Sequence, residues 1–432
     1  MAWDFETEPE FQRELDWMDR FVREEVEPID HVLRNPYDPN DPLTRALLPP
    51  RKEQVKERGL WACHLGPELG GPGFGQLKLA LMNEILGRSR YAPIVFGCQA
   101  PDTGNAEILA HYGSPSQKKR YLEPLMNGDI VSCYSMTEPH AGADPTLFTT
   151  RAVRDGDEWV INGEKWFSSN ARWASFLIVM CVTDPDVSPY EGMSMLIVPT
   201  DTPGVEIVRN VGVGLEGEEH WGHAHIRYTD VRVPADHMLG KPGSAFVIAQ
   251  TRLGGGRIHH AMRTVAQVRK AFDLLCERAL SREVRAGRLA DLQMTQEKIA
   301  DSWIDLEQFR LLVLRTAWKI DKYNDYRKVR GDIAAIKVLT PRVLHDVTSR
   351  ALQLHGAIGV SNDMPFVSML ISAYSLGIAD GPSEVHKITL AKQILRDRRA
   401  HEGLYPSGHL PSLEAAARER FADLLEAEIG NL

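Results

Sequence analysis

Cysteine is sparse and scattered. Cys63, Cys98, Cys133, Cys181 and Cys276 are the five in 432 residues, and no two form a CxxC pair. That spacing fits neither a thiolate zinc site nor a disulfide framework, and buried, reduced thiols are expected. Long apolar runs are also missing; none reaches the roughly 20 residues that a membrane-spanning helix needs. Basic surplus is a third absence: 50 Lys and Arg stand against 59 Asp and Glu, a formal net charge of -9, which argues against nucleic acid or an anionic membrane as partner. The opening MAWDFETEPEFQREL is acidic, without the basic and apolar regions of a secretory signal or the Arg-rich look of a transit peptide. A soluble, cytoplasmic protein is expected. No internal repeat is visible.

What is present is chain enough for two or three domains around a large core. Phe11, Leu15, Met18, Val22 and Val26 recur at helical spacing and Pro28 follows as a stop. Helical texture continues to about residue 130, broken by NPYDPNDP (Asn35 to Pro42) and GPELGGPGFG (Gly66 to Gly75). The second lacks the strand-loop-helix context of a phosphate loop and is expected to be a plain loop. From 131 to 236 short β-type runs alternate with turn residues; Asp155-Gly156 predicts a hairpin, and Asn162-Gly163 a second turn. From 237 to 400 the pattern is again helical, with Val268, Phe272, Leu275 and Ala279 on one face and Ile299, Trp303, Leu306, Arg310 and Val313 on another. A helical tail is expected over 401–432. Adjacent on a helix, His259 and His260 point about 100° apart and make a poor metal pair, so no metal is expected.

Five segments occur in order: YSMTEPHAGAD (Tyr134 to Asp144), INGEKWFSSNA (Ile161 to Ala171), DVRVPADHMLG (Asp230 to Gly240), QLHGAIGVSNDMP (Gln353 to Pro365) and IADGPSEVHKITLAKQIL (Ile378 to Leu395). Together they resemble the signature segments of the acyl-CoA dehydrogenase family. The resemblance implies an α+β fold: a helical N-terminal domain, a middle antiparallel β domain and a C-terminal four-helix bundle. It also implies one FAD per subunit, in a homodimer or homotetramer. Tyr134, Met136, Thr137, Gly142, Ala143, Ser168, Ser169, Gly356 and Glu384 match positions around the flavin in the family, with Phe167 in the place of the aromatic that covers one ring face. Such a ring needs a flat apolar wall and a few donors where negative charge appears on reduction. Arg282 takes the place of the arginine that meets the FAD pyrophosphate, although REVRAGR matches its Arg-x-x-Phe-Gly context only loosely. Gln353 takes the place of a glutamine that reaches a neighbouring subunit's FAD.

The family reaction removes an α-proton from an acyl-CoA thioester while a β-hydride passes to flavin N5, giving a 2-enoyl-CoA. A carboxylate must meet the α-carbon in a desolvated pocket. ADGP places Asp380 at the family's usual base position; the alternative position, before Arg257, holds Gly256. Ala143, Arg257 and Gly381 match substrate contacts. KWFSS, GVSNDMP and ADGPSEVH look like the branch with an aspartate base, some of whose members accept 4-hydroxyacyl-CoA. Pro382 replaces a threonine whose hydroxyl commonly meets FAD. The expected electron acceptor is an electron-transferring flavoprotein. A nitroalkane-oxidase-like flavin oxidase and a non-catalytic flavin-binding protein are the alternatives.

Overall fold

The computed structural model describes residues 5–142, 144–214, 216 and 222–429. In helix α1 (Pro9–Phe21) the side chains of Phe11, Leu15, Met18 and Phe21 are buried. Val22 and Val26 carry the stripe through a π-helical turn, and the chain leaves it in a 3-10 turn containing Pro28. Helices α2 (Pro42–Glu57), α3 (Gly75–Leu86), α4 (Ala92–Val95), α5 (Asp102–Tyr112), α6 (Pro115–Gln117) and α7 (Glu123–Asn127) complete the first domain. The glycine-rich stretch before α3 is a loop broken only by a short 3-10 turn (Pro67–Leu69). The Asp321 carboxylate accepts the Gln76 and Leu77 amides at 2.7 and 2.8 Å, so the protein itself fills the anion position at that helix N-terminus.

The middle domain is one eight-stranded sheet: β1 (Ser132–Ser135), β2 (Arg151–Asp155), β3 (Glu158–Ser169), β4 (Phe176–Val182), β5 (Met193–Pro199), β6 (Val205–Asn210), β7 (His223–Pro234) and β8 (Met238–Leu239). Its order is β6-β7-β3-β2-β4-β5-β8, with β1 parallel to β4. The other pairings are antiparallel except a single β2–β4 bridge. Asp155 faces Glu158 across the predicted hairpin. Asn162-Gly163, however, is not a turn. It lies inside β3 at a register shift, where a Cβ on Gly163 would stand 2.6 Å from Thr150 Cα; close backbone approach, not reversal, requires that glycine.

The third domain comprises α8 (Ala245–Ser281), a small hairpin of β9 (Glu283–Val284) and β10 (Gly287–Arg288), then α9 (Gln293–Tyr323), α10 (Tyr326–His355), α11 (Ala357–Val360), α12 (Phe366–Ile378) and α13 (Ser383–Arg396). Val268, Leu275 and Ala279 of α8 are buried as the spacing predicts. On α9 the buried stripe runs instead through Leu306, Phe309, Val313, Ala317 and Ile320. Trp303 is exposed, and Arg310 leaves the core to pair with Glu84 at 2.8 Å. One hydrophobic cluster joins Met18 and Phe96 to Met262, Phe309 and Phe366, so the outer domains share a core. The tail forms α14 (Leu410–Arg420) and α15 (Ala422–Ile429), with Leu410, Phe421 and Leu424 exposed.

Candidate active site

Asp380 sits in the turn between α12 and α13 with φ +56°. A left-handed conformation is uncommon for a non-glycine residue and needs outside support. Two neighbours grip its carbonyl: Arg257 Nε donates at 3.0 Å and His386 Nε2 lies at 3.2 Å. Because a carbonyl only accepts, Nε2 carries the proton. Burial and then the Arg257 charge push the His386 pKa down to about 4, which keeps this ring neutral. The Asp380 carboxylate is turned toward α8, where His260 Nε2 lies 3.7 Å from Oδ2. A Cβ on Gly256 would be 3.2 Å from the same oxygen. The two candidate base positions therefore converge on one spot, and the bare α-carbon at 256 leaves room for the carboxylate at 380.

Lys337 approaches this cluster from the buried face of α10. Its Nζ donates to the Leu376 carbonyl in the last turn of α12. Burial pulls its pKa down to about 8, opposed by the negative charge of Asp380. The sequence offers no role for Lys337 or His386, and it marks His260 only as a poor metal ligand. Lys337 was detectable as a lysine in the stripe of Val329, Ile333, Ile336 and Thr340, all buried on α10, since a charge on an apolar face needs a reason.

The Thr-Glu-Pro loop is anchored from below. Lys165 Nζ, fully buried on β3, donates to the Met136 carbonyl at 2.8 Å and to Glu138 Oε1 at 3.0 Å. Glu138 also accepts the Thr149 and Thr150 amides at 2.7 and 2.9 Å. Burial opposes ionisation of Glu138, but Lys165 and these amides outweigh it and hold the carboxyl below its ordinary pKa. The Thr137 carbonyl accepts from the Trp166 amide at 2.7 Å. Between Lys165 and Ser168 the β3–β7 register shifts, and Phe167 takes φ +52°. That irregularity lets Lys165 and Ser168 both point inward while Phe167 turns out, 42% exposed.

These surroundings suit a planar, hydrogen-bonding heteroaromatic ring. Among the described residues the Trp166 Nε1 and Tyr134 hydroxyl are buried without a partner, a cost the protein does not carry without a reason. Phe167 offers an apolar face, with Trp166 at 5.2 Å and His223 at 5.1 Å between ring centroids. Gly142 has φ +55°, and among the described residues no atom lies within 4 Å of its would-be Cβ. Ser169 Oγ meets His223 Nδ1 at 2.9 Å. Ser168 is engaged inside the sheet, 2.9 Å from Ser135 Oγ. Ala143 lies outside the described residues.

Three predicted positions are not gathered here. Arg282 is exposed at the C-terminal end of α8, about 38 Å along the helix from Arg257. Gln353 and Gly356 are exposed at the far end of α10. Glu384 is exposed in the first turn of α13, and Gly381 is held open at φ +102° beside His386. Among the described residues no group of three or more His, Cys, Asp or Glu could hold a metal, and no helix is long and apolar enough to cross a membrane.

Three profiles match consecutively: "Acyl-CoA dehydrogenase, N-terminal domain" over residues 8–129, its middle domain over 133–231, and its C-terminal domain over 243–395. A Mycobacterium tuberculosis relative named "Probable acyl-CoA dehydrogenase FadE2" is 41% identical over 90% of this chain and 92% of its own. "Acyl-CoA dehydrogenase family member 11" of Gallus gallus is 44% identical over 80% of this chain but only 45% of its own length. The chain thus spans about half the length of such curated relatives. A Mycobacterium abscessus structure assigned to the acyl-CoA dehydrogenases superposes with a TM-score of 0.83 at 37% identity, covering 91% of this chain and 99% of that one. Butyryl-CoA dehydrogenase from Megasphaera elsdenii gives 0.76 at 26% identity, over 91% and 100%.

Proposed function

The chain belongs to the acyl-CoA dehydrogenase family, and on that premise we propose that it dehydrogenates an acyl-CoA thioester to the 2-enoyl-CoA with Asp380 as base. FAD is the cofactor, and when bound it supplies the hydride acceptor. The observation that carries the assignment is the Asp380 carboxylate, held in a left-handed turn by Arg257 and His386 and turned onto the bare Gly256.

Each neighbour has a separable task. Asp380 takes the α-proton onto a carboxylate oxygen. Arg257 and His386 fix the backbone that carries it, so the carboxylate does not have to be ordered during the reaction. His260 is kept largely uncharged by burial, against the pull of Asp380. It therefore bounds the pocket without holding the base in a tight ion pair. Tyr134, Met136, Thr137, Trp166 and Phe167 would line the flavin ring, with Gly142, Ala143, Ser168 and Ser169 in the same loops. Arg282, Gln353 and Gly356 would meet the dinucleotide portion of FAD across a homodimer or homotetramer contact. Glu384 stands near enough to Lys337 for their charges to interact. With Pro382 lacking a hydroxyl, Glu384 takes over a cofactor contact. Arg257, Ala143 and Gly381 would border the substrate. The electron acceptor is an electron-transferring flavoprotein.

Anaerobic addition of a panel of acyl-CoAs to the purified yellow protein tests this reading. At least one should bleach the oxidised-flavin absorbance, with little hydrogen peroxide formed when air is readmitted. Bleaching followed by rapid peroxide formation would instead indicate an oxidase, and no bleaching with any thioester would leave a flavin-binding protein without this activity.

A further inference from the structure

A base must give up the proton it takes before it can act again, and the surroundings of Asp380 offer that proton few places to go. Among the described residues neither oxygen of its carboxylate meets a hydrogen-bond donor. Arg257 and His386 are turned to its carbonyl instead, at 3.0 and 3.2 Å. A guanidinium has no lone pair to offer, His386 Nε2 is spent as a donor, and Lys337 Nζ is turned to the Leu376 carbonyl. His260 is different. It follows Gly256 by one turn of α8, so the two share a face of that helix. A Cβ on Gly256 would stand 3.2 Å from Asp380 Oδ2, and His260 Nε2 is 3.7 Å from that same oxygen. A side chain at 256 would press on the oxygen, whereas glycine leaves it free to close on the imidazole.

The ring and its neighbours suit a proton carrier. His260 Nε2 makes no hydrogen bond among the described residues, and in a neutral ring with its proton on Nδ1 it is an acceptor. The charged groups that face it are Asp380 from the α12–α13 turn, Arg252 and Arg263 from α8, and Lys337 from α10. His259, beside it on α8, is itself kept uncharged by burial. Burial first, and then the three cations, disfavour the imidazolium, while Asp380 favours it. A proton that arrives is therefore not retained. Access points the same way: deep as the ring lies, 34% of the His260 side chain is exposed against 18% for Asp380.

We infer that His260 is the proton outlet of the site, taking from Asp380 the proton that came from the α-carbon and passing it to water. The Asp380 Oδ2–H bond breaks as the His260 Nε2–H bond forms. The imidazolium then releases its proton to water, which leaves Asp380 a carboxylate and the ring neutral, with no change of redox state. Closure by about 1 Å brings the two atoms to hydrogen-bond distance. This role rests on Asp380 being the base and adds the step that resets it.

The test uses the FAD-loaded enzyme in D2O with an acyl-CoA whose β-carbon is replaced by sulfur. No β-hydride is then available, so the α-proton can be taken and returned without reduction of the flavin. NMR follows the exchange of the α-hydrogen for deuterium, and anaerobic bleaching by an ordinary acyl-CoA gives the speed of proton abstraction for comparison. Wild type should exchange. His260→Gln offers an amide oxygen that accepts a hydrogen bond but carries no proton onward; it should lower the ratio of exchange to bleaching by roughly a hundredfold, within the range of a positioned proton-transfer group. Added imidazole should restore part of the exchange in His260→Ala, and this result decides the matter if the glutamine variant does not fold. Equal ratios in wild type and His260→Gln overturn the inference, as does a slow His260→Ala enzyme that imidazole leaves unchanged. An Asp380→Asn enzyme that exchanges like wild type overturns the base assignment itself, and the outlet with it.

Discussion

Lys337 shows what one residue adds beyond the proposed base, Asp380. Its buried ammonium ties α10 to the Leu376 carbonyl and lies close enough to Asp380 for their charges to interact. Lys337→Met should slow flavin reduction at saturating acyl-CoA about tenfold or more, since misplacing a base by a fraction of an ångström is expensive, while KM changes little. Lys337→Arg should recover part of the rate. Stability adds a second readout. The folded pKa of about 8 lies below the usual 10.5, so between those values the unfolded chain holds a proton that the folded chain has released. Folded stability attributable to this residue therefore rises as pH climbs from about 8 to about 10.5. The melting temperature of wild type relative to Lys337→Met should move in favour of wild type across that window. A constant gap, with unchanged turnover, contradicts both roles.

At the scale of elements, β3 and the loop after β1 work as a unit. The buried Glu138–Lys165 pair is the joint: it fixes the Met136 carbonyl and the start of β2 together. Removing one partner leaves a buried charge alone, which typically costs about 3 to 5 kcal/mol. Glu138→Gln should lower the melting temperature and release FAD; the double variant Glu138→Gln, Lys165→Met should recover part of the stability. Equal melting temperatures for wild type and Glu138→Gln, measured by calorimetry, contradict this assignment. The sequence made the Thr-Glu-Pro segment conspicuous by resemblance, but the work of Glu138 was not legible, because its partners lie 11 to 27 residues away along the chain. Asp155-Gly156 was legible because turn chemistry is local. Asn162-Gly163 carries the same local signal, and only the approach of Thr150 reveals a bulge. The α9 stripe was misplaced for a related reason: Trp303 and Arg310 fit the helical period, but the neighbouring helices decide which face is buried.

For the whole molecule, the helix, β, helix order was readable from the change in hydrophobic period, and the five ordered segments pointed to the family. Asp380 was singled out as candidate base by resemblance in one of those segments and by the empty alternative at Gly256. The convergence of α8, α10, α12 and α13 on it is tertiary and left no mark in any short stretch. The exposed positions of Arg282 and Gln353 carry the next expectation. If they reach FAD across a contact between copies, Arg282→Ala and Gln353→Ala should lose FAD, and the loss should increase on dilution as the assembly dissociates. Sedimentation at several concentrations, read at the flavin absorbance, follows both together. Full occupancy and unchanged assembly in both variants would show that the two residues serve neither.

The central claim is the identity of the base, and Asp380→Asn tests it most directly. The substitution nearly preserves volume and leaves the backbone grip of Arg257 and His386 in place. FAD and acyl-CoA should therefore still bind, and the spectral shift on substrate addition should persist. In anaerobic stopped-flow mixing at saturating acyl-CoA, bleaching should slow by about 10²- to 10⁴-fold, the usual contribution of a positioned base; bleaching at the wild-type rate would contradict the account.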